Sequence, residues 1–280
     1  MTFKNLVASI ESLPPLSDVA ISIQRLFANG AYNVNTRELV KTIESDAILT
    51  ANILKMINVP HYGLSYKISS ISQAVALFGI NTIYGVVLKY AINEHLRSDT
   101  GIYGLSGSSF NEMCHLQRNL ILRWYSRINI RDAQFLAPLV LMMETGKLIL
   151  EQEIKYSDYL QEYLSGLYQC EDIEEYEKEL FETTSFYVSA LLFEHWNLEP
   201  LYIDILKGID FEQDGDFKMK EYENVLKVIK TAINVKEILS DKSIKKASEI
   251  VKKMGMDVSD FEEIAYRVKE SYVAAKELEV

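Results

Sequence analysis

Residues 43–64 read IESDAILTANILKMINVPHYGL, and after three further positions residues 68–88 read ISSISQAVALFGINTIYGVVL. Asp46 is a residue type whose side-chain oxygen caps a helix N-terminus, and Ile48, Leu49, Ile53 and Met56 follow at helical spacing. That helix should end near Asn58, because residues ahead of a proline, here Pro60, avoid the helical region. His61-Tyr62-Gly63-Leu64 reads as a turn. Ser70–Phe78 and Thr82–Leu96 predict two more helices, divided at Gly79. No period-two alternation interrupts them, so this part of the chain is all-α.

The same period extends in both directions. Toward the N-terminus, a helix near Asp18 places Val19, Ile23, Leu26 and Phe27 on one face, and Asn35 with Glu38 resembles an N-cap and its N3 partner. Beyond Leu96, Gly101, Gly104, Ser106, Gly107, Ser108 and Ser109 fall within nine residues, and this composition predicts a flexible connection. Phe110, Met113, Gln117, Ile121, Trp124 and Ile128 then repeat at steps of three and four. Leu136–Leu150 is nearly all apolar and should be the most buried stretch of its block. The acidic run Glu171–Glu182 reads as a solvated helix face. Further on, Val225, Val228, Ala232, Val235 and Leu239 predict one amphipathic helix, and Ile244, Ala247, Val251 and Met254 a second that ends at Gly255. Ser259 and Glu262 read as a capping box for a last helix. The resulting organisation is an N-terminal helical subdomain over 1–100, a second helical subdomain over 110–209 and a C-terminal helical region over 218–280.

Composition narrows the function. The chain of 280 residues carries 29 Lys and Arg against 40 Asp and Glu, a net charge of −11. Residues 218–280 hold 13 basic and 12 acidic residues, so the acidity lies in the first 217. Nucleic acid as a partner is disfavoured, since binding a polyanion needs a basic face. The two cysteines, Cys114 and Cys170, have no CxxC or Cys/His partner spacing, so no zinc or iron–sulfur site is expected. The start of the chain lacks a basic segment leading into an apolar one, and the apolar runs are broken by charge before bilayer length. A cytoplasmic protein without membrane insertion is the expectation.

The order of these segments resembles HDOD domains, the HD-related output domains of bacterial signalling proteins. The likeness rests on LPPLSDVAISIQRL at 13–26, on residues 43–64 with Asn58 and the Tyr62-Gly63 turn, and on Ser70, Ile71, Ala74 and Gly79 in residues 68–88. GKLIL at 146–150 and Trp196-Asn197-Leu198-Glu199-Pro200 extend it more loosely. The resemblance implies a multi-helical, HD-like all-α fold, distantly related to HD-type metal phosphohydrolases, and a role in signalling or regulation.

It also implies where a metal site would lie. HD hydrolases hold one or two divalent ions on clustered His and Asp side chains, so that bound water becomes a nucleophile near neutral pH. The matching positions are His115 for the leading His, Met143 and Glu144 for the His-Asp pair ahead of Gly146, and Ser185 for a later His. A thioether does not replace a hard ligand. Near Gly208-Ile209, where HD-GYP-like enzymes carry paired His, there is none. On a helix His115 lies some 140° from Phe110, off the main apolar stripe. A vestigial site without metal or cofactor is therefore expected.

Two other constellations stand out. Asn58, His61, Tyr62 and Gly63 form a polar and aromatic corner that could meet a partner, or in which Asn58 simply caps backbone groups. Asp210, Glu212, Asp214, Asp216 and Glu221, with Gly215 at position six, have nearly the spacing of an EF-hand loop, but Glu at position three and Lys218 at position nine argue for a solvated connector. The leading functional expectation is a non-catalytic regulatory module that binds a signalling protein or a small ligand. A divergent metal-dependent phosphohydrolase or phosphodiesterase, and a helical adaptor or homo-oligomeric scaffold, are the alternatives left open.

Overall fold

The computed structural model describes residues 3–58, 66–96, 100–211 and 215–277. Among these, regular structure is helical, with one isolated bridge between Ile233 and Ile238. The helices are α1 (Phe3–Glu11), α2 (Asp18–Phe27), α3 (Thr36–Glu44), α4 (Ala47–Ile57), α5 (Ile71–Phe78), α6 (Ile80–His95), α7 (Gly107–Trp124), α8 (Ile130–Met142), α9 (Gly146–Lys155), α10 (Leu160–Gln169), α11 (Ile173–Phe181), α12 (Ser185–His195), α13 (Pro200–Asp210), α14 (Phe217–Ala232), α15 (Asp241–Lys253) and α16 (Val258–Glu277). The all-α expectation holds.

Short polar side chains start many of these helices by satisfying amide groups that have no intrahelical partner. Asn35 Oδ1 accepts from the amides of Arg37 and Glu38, and Asp46 Oδ1 from those of Ile48 and Leu49. Ser70 Oγ accepts from the Gln73 amide. Asn58 ends α4: its Nδ2 donates to the Leu54 and Ile68 carbonyls at 2.7 and 2.8 Å, and its Oδ1 accepts from the Ile68 amide at 2.7 Å.

The chain forms two compact units. One comprises residues 16–95, 115–142 and 259–280. Its interior is chiefly apolar, with Ile23, Leu39, Ile43, Ile53, Ile83 and Phe261 fully buried. Trp124 and Phe261 meet edge to face, and Phe27 stacks on Tyr84. Here α6 runs against α8, where Gly85 allows close approach: a Cβ would lie 3.0 Å from Pro138 Cα. The other unit comprises residues 1–15, 96–114 and 143–258, hence α1 and α9–α15. In it the end of α12 holds the N-terminal segment: His195 Nε2 lies 2.9 Å from the Leu13 carbonyl, and Trp196 Nε1 donates to that of Pro14 at 3.0 Å.

Several local expectations are corrected. Residues 101–109 form a short 3-10 turn and a helix start, with Ser106 Oγ accepting from the Ser109 amide, because small polar residues cap helices as readily as they loosen chains. The stripe from Phe110 ends at Trp124, and Ile128 is exposed. α14 stops at Ala232 instead of running to Leu239, since Asn234 Oδ1 accepts from the Lys236 and Glu237 amides, both at 2.9 Å, and so competes with helical pairing. α16 begins at Val258, which puts Ser259 inside its first turn. Leu136–Leu150 is buried at every position. The longer apolar stretch Ile130–Lys155 has the length and composition of a membrane span, but 89% of its most apolar 18-residue window is buried within the protein.

Candidate functional site

The residues matched to an HD metal site are divided between the two units. His115 belongs to the first unit, where it is buried on α7. Met143, Glu144 and Ser185 belong to the second, in the turn between α8 and α9 and at the start of α12. That turn is fastened to α12 by Ser189, whose Oγ accepts from the Gly146 amide at 2.7 Å and lies 2.6 Å from the Met143 carbonyl as donor. The approach requires glycine: a Cβ on residue 146 would come 1.9 Å from the Ser185 carbonyl oxygen.

Closing this turn carries the next residue, Lys147, into the interior with 1% of its side chain exposed. Its Nζ donates to Ser185 Oγ at 2.6 Å and to Glu174 Oε1 at 3.0 Å, and lies 3.2 Å from Glu144 Oε2. Glu144 is equally buried. The other oxygen of Glu174 takes Lys230 of α14 at 3.0 Å, and Lys230 also holds Asp210 at 2.9 Å. The Phe186 ring lies 5.0 Å from each ammonium. Glu177, fully buried one turn after Glu174, accepts from the Ser185 amide at 2.6 Å and from Tyr163 Oη at 3.3 Å.

These charges hold one another in place. Burial alone would push the Lys147 ammonium toward neutrality, but Glu144, Glu174 and Glu177 outweigh it and keep its pKa well above the usual lysine range. Burial likewise opposes ionisation of Glu174, and Lys230 and Lys147 overcome it, bringing that carboxyl down to about 2. Glu177 goes the other way. Burial, reinforced by the nearby Glu174, raises it to about 7 against Lys147 and the bonds from Ser185.

An HD-type metal does not fit this set. Met143 offers a buried thioether, and Glu144 and Ser185 already face an ammonium. A divalent cation at the same donors would stand against that positive charge in a poorly screened interior. Among the described residues, no three His, Cys, Asp or Glu side chains come together in a metal-binding arrangement.

Sequence reasoning placed Glu144 and Ser185 at the site but missed Lys147, Glu174, Glu177 and Lys230. The expectation of a solvated acidic face is corrected accordingly: α11 turns Glu174 and Glu177 inward and leaves Glu175 and Glu179 outside. A signal was present, because Glu177 lies midway between Ile173 and Phe181 at a spacing of four, on the apolar stripe.

Of the corner residues, Asn58 is the α4 cap already described, and His61, Tyr62 and Gly63 lie outside the described residues. In the EF-hand-like stretch, Asp210 pairs with Lys230, Asp216 accepts from the Met219 amide at 2.8 Å, and Glu221 pairs with Lys218. Glu212 and Asp214 also lie outside the described residues.

Comparison with curated proteins finds no match. Solved structures share the architecture. A virulence factor from Campylobacter jejuni is 22% identical at a TM-score of 0.55, over 96% of this chain and 99% of its own. A Shewanella amazonensis protein with the provisional name phosphohydrolase is 14% identical at 0.66, over 95% and 94%. An HDOD domain protein with unknown function from Geobacter sulfurreducens is 17% identical at 0.64, over 97% and 95%. At such identities the likeness is one of fold. The sequence-family comparison goes further: the HDOD domain model matches residues 13–209, well over half of the length, and the chain belongs to the HDOD domain family.

Proposed function

We propose that this chain is a non-catalytic regulatory module of signal transduction, which keeps an HD-like scaffold and acts by binding a protein or a small ligand. The observation that carries this reading is the position of Lys147. Its ammonium touches Glu144 and Ser185, two of the positions matched to HD ligands, and adds Glu174. An internal cation thus neutralises the carboxylates that would otherwise attract a metal, and an ammonium with no open coordination position cannot generate a nucleophilic water. Regulation then works by population shift, a partner favouring one packing of the helices over another.

Manganese titration of the purified full chain, followed by calorimetry and by the electron paramagnetic resonance of the free ion, tests the reading. The expected result is no stoichiometric binding and no manganese-dependent hydrolysis of bis-p-nitrophenyl phosphate. One bound ion per chain, with hydrolysis lost in Glu144→Gln, overturns it.

A further inference from the structure

The second unit contains a cavity of about 460 Å³ between the end of α10, the start of α11, the corner after α14 and the start of α15. Its size falls in the range of small-molecule sites. Lys236, Lys242 and Lys246 line it, and Tyr168, 89% exposed, forms part of its wall. With Lys230 the wall carries four lysines, set against the four carboxylates of Glu171, Asp172, Glu174 and Glu237.

The carboxylates of the wall are engaged. Glu174 holds Lys147 and Lys230, and Asp172 caps α11 through the Glu175 amide. Glu237 accepts from Ser240 Oγ at 2.6 Å and lies 3.7 Å from Lys242, while Glu171 pairs with Lys246 at the exposed rim. Lys236 differs from its neighbours. Its Nζ donates to the Cys170 carbonyl and lies 3.7 Å from Cys170 Sγ. Burial pushes the Cys170 thiol up against the pull of Lys236, so the sulfur stays neutral, and the carboxylate whose charge bears on Lys236 is that of the exposed Glu171. The exposed Glu171–Lys246 pair is weak enough to yield to a better anion.

We infer that this cavity binds a phosphorylated small molecule carrying a planar ring, with the phosphate on Lys236 and Lys242 and the ring against Tyr168. The inference rests on the reading of the chain as a ligand-binding regulator and names the chemistry of one ligand. Ammonium groups and phosphate form charge-assisted hydrogen bonds, and an aromatic face accepts a nucleobase-like ring by stacking. Glu174 and Lys230 belong both to the cavity wall and to the buried ion cluster. A ligand here therefore acts directly on the contacts that join α9, α11, α12 and α14.

Calorimetric titration of the full chain with adenosine monophosphate and, separately, with inorganic pyrophosphate tests this. One adenosine monophosphate per chain is expected, weakened about tenfold by Lys236→Ala and about fivefold by Tyr168→Ala. Pyrophosphate should lose affinity with Lys236→Ala and keep it with Tyr168→Ala. Lys252→Ala, on α15 but outside the cavity wall, should leave both unchanged. Absence of binding, or a loss in Lys252→Ala equal to that in Lys236→Ala, overturns the site. Unchanged adenosine monophosphate affinity in Tyr168→Ala overturns the place given to the ring. The manganese titration is read independently, so loss of the non-catalytic reading and loss of this site are separate results.

Discussion

In one compact unit Trp124 meets Phe261 at 5.1 Å, whereas in the other Phe186 lies 5.0 Å from both the Lys147 and the Lys230 ammonium. The first unit excludes water chiefly with carbon, though Lys89, His115, Gln117 and Arg118 are buried there too, and Arg118 donates to Thr82 Oγ1 at 2.5 Å. The second builds part of its interior from opposite charges. Apolar packing is tolerant, since neighbours can shift to fill a small loss. A buried ion cluster is not, because a charge whose partner is removed retains its full desolvation cost. The two units should therefore answer differently to substitution and to pH.

The largest effect is expected for Lys147→Ala, which leaves Glu144 and Glu174 facing each other in the interior. Guanidinium unfolding should show a loss of about 3–5 kcal/mol near neutral pH. A loss under about 1 kcal/mol would mean that the ammonium is not what holds the carboxylates. Ile53→Ala in the apolar unit should cost about 2–4 kcal/mol through lost burial and the cavity left behind. That cost should be the same at acid and neutral pH, and a pH-dependent difference would break the contrast.

Glu177 supplies the pH test. Its carboxyl titrates near 4.5 in an unfolded chain and at about 7 in the fold. The fold thus binds this proton more tightly, and the associated stability is fully present below the lower value and lost as pH rises through the upper one. Thermal melts should show a decline on the order of 2 kcal/mol across that window, which Glu177→Gln removes. A variant that declines as the parent does would show that another group is responsible. The smallest effect belongs to Arg127→Ala, which removes the partly exposed pair with Asp260. That change should cost about 0.5 kcal/mol or less in the same unfolding assay, and less still in high salt.

The contrast also explains what could be read in advance. Apolar period and capping chemistry are local, so α3, α4 and α5 were legible from Asn35, Asp46 and Ser70 together with the residues that follow them. The end of α14 was not, because Val235 and Leu239 continue an apolar spacing that the Asn234 side chain overrides. The ion cluster was legible only in fragments. Glu144 and Lys147 are three residues apart, but Glu174 is 27 positions beyond Lys147 and Lys230 another 56. Nothing local to an acidic run states which of its carboxylates will turn inward to meet lysines, a hydroxyl or an amide from other helices. Met143 and Ser185 were informative in another way, as positions where expected chemistry is missing, and this could be seen without knowing what stands in its place.

Gly146 gives the arrangement a directional character. Its amide is bound to Ser189 and its Cα faces the Ser185 carbonyl, so the neighbouring ammonium has little freedom to swing aside. Installing imidazoles at 143 and 185 would place new donors beside a positive charge that repels the ion they are meant to hold. Deleting the lysine first would pass through a sequence with unopposed acids at its centre. Either order descends before it climbs, and the single turn at 143–146 acts as a ratchet against building an HD-type ligand set by stepwise change.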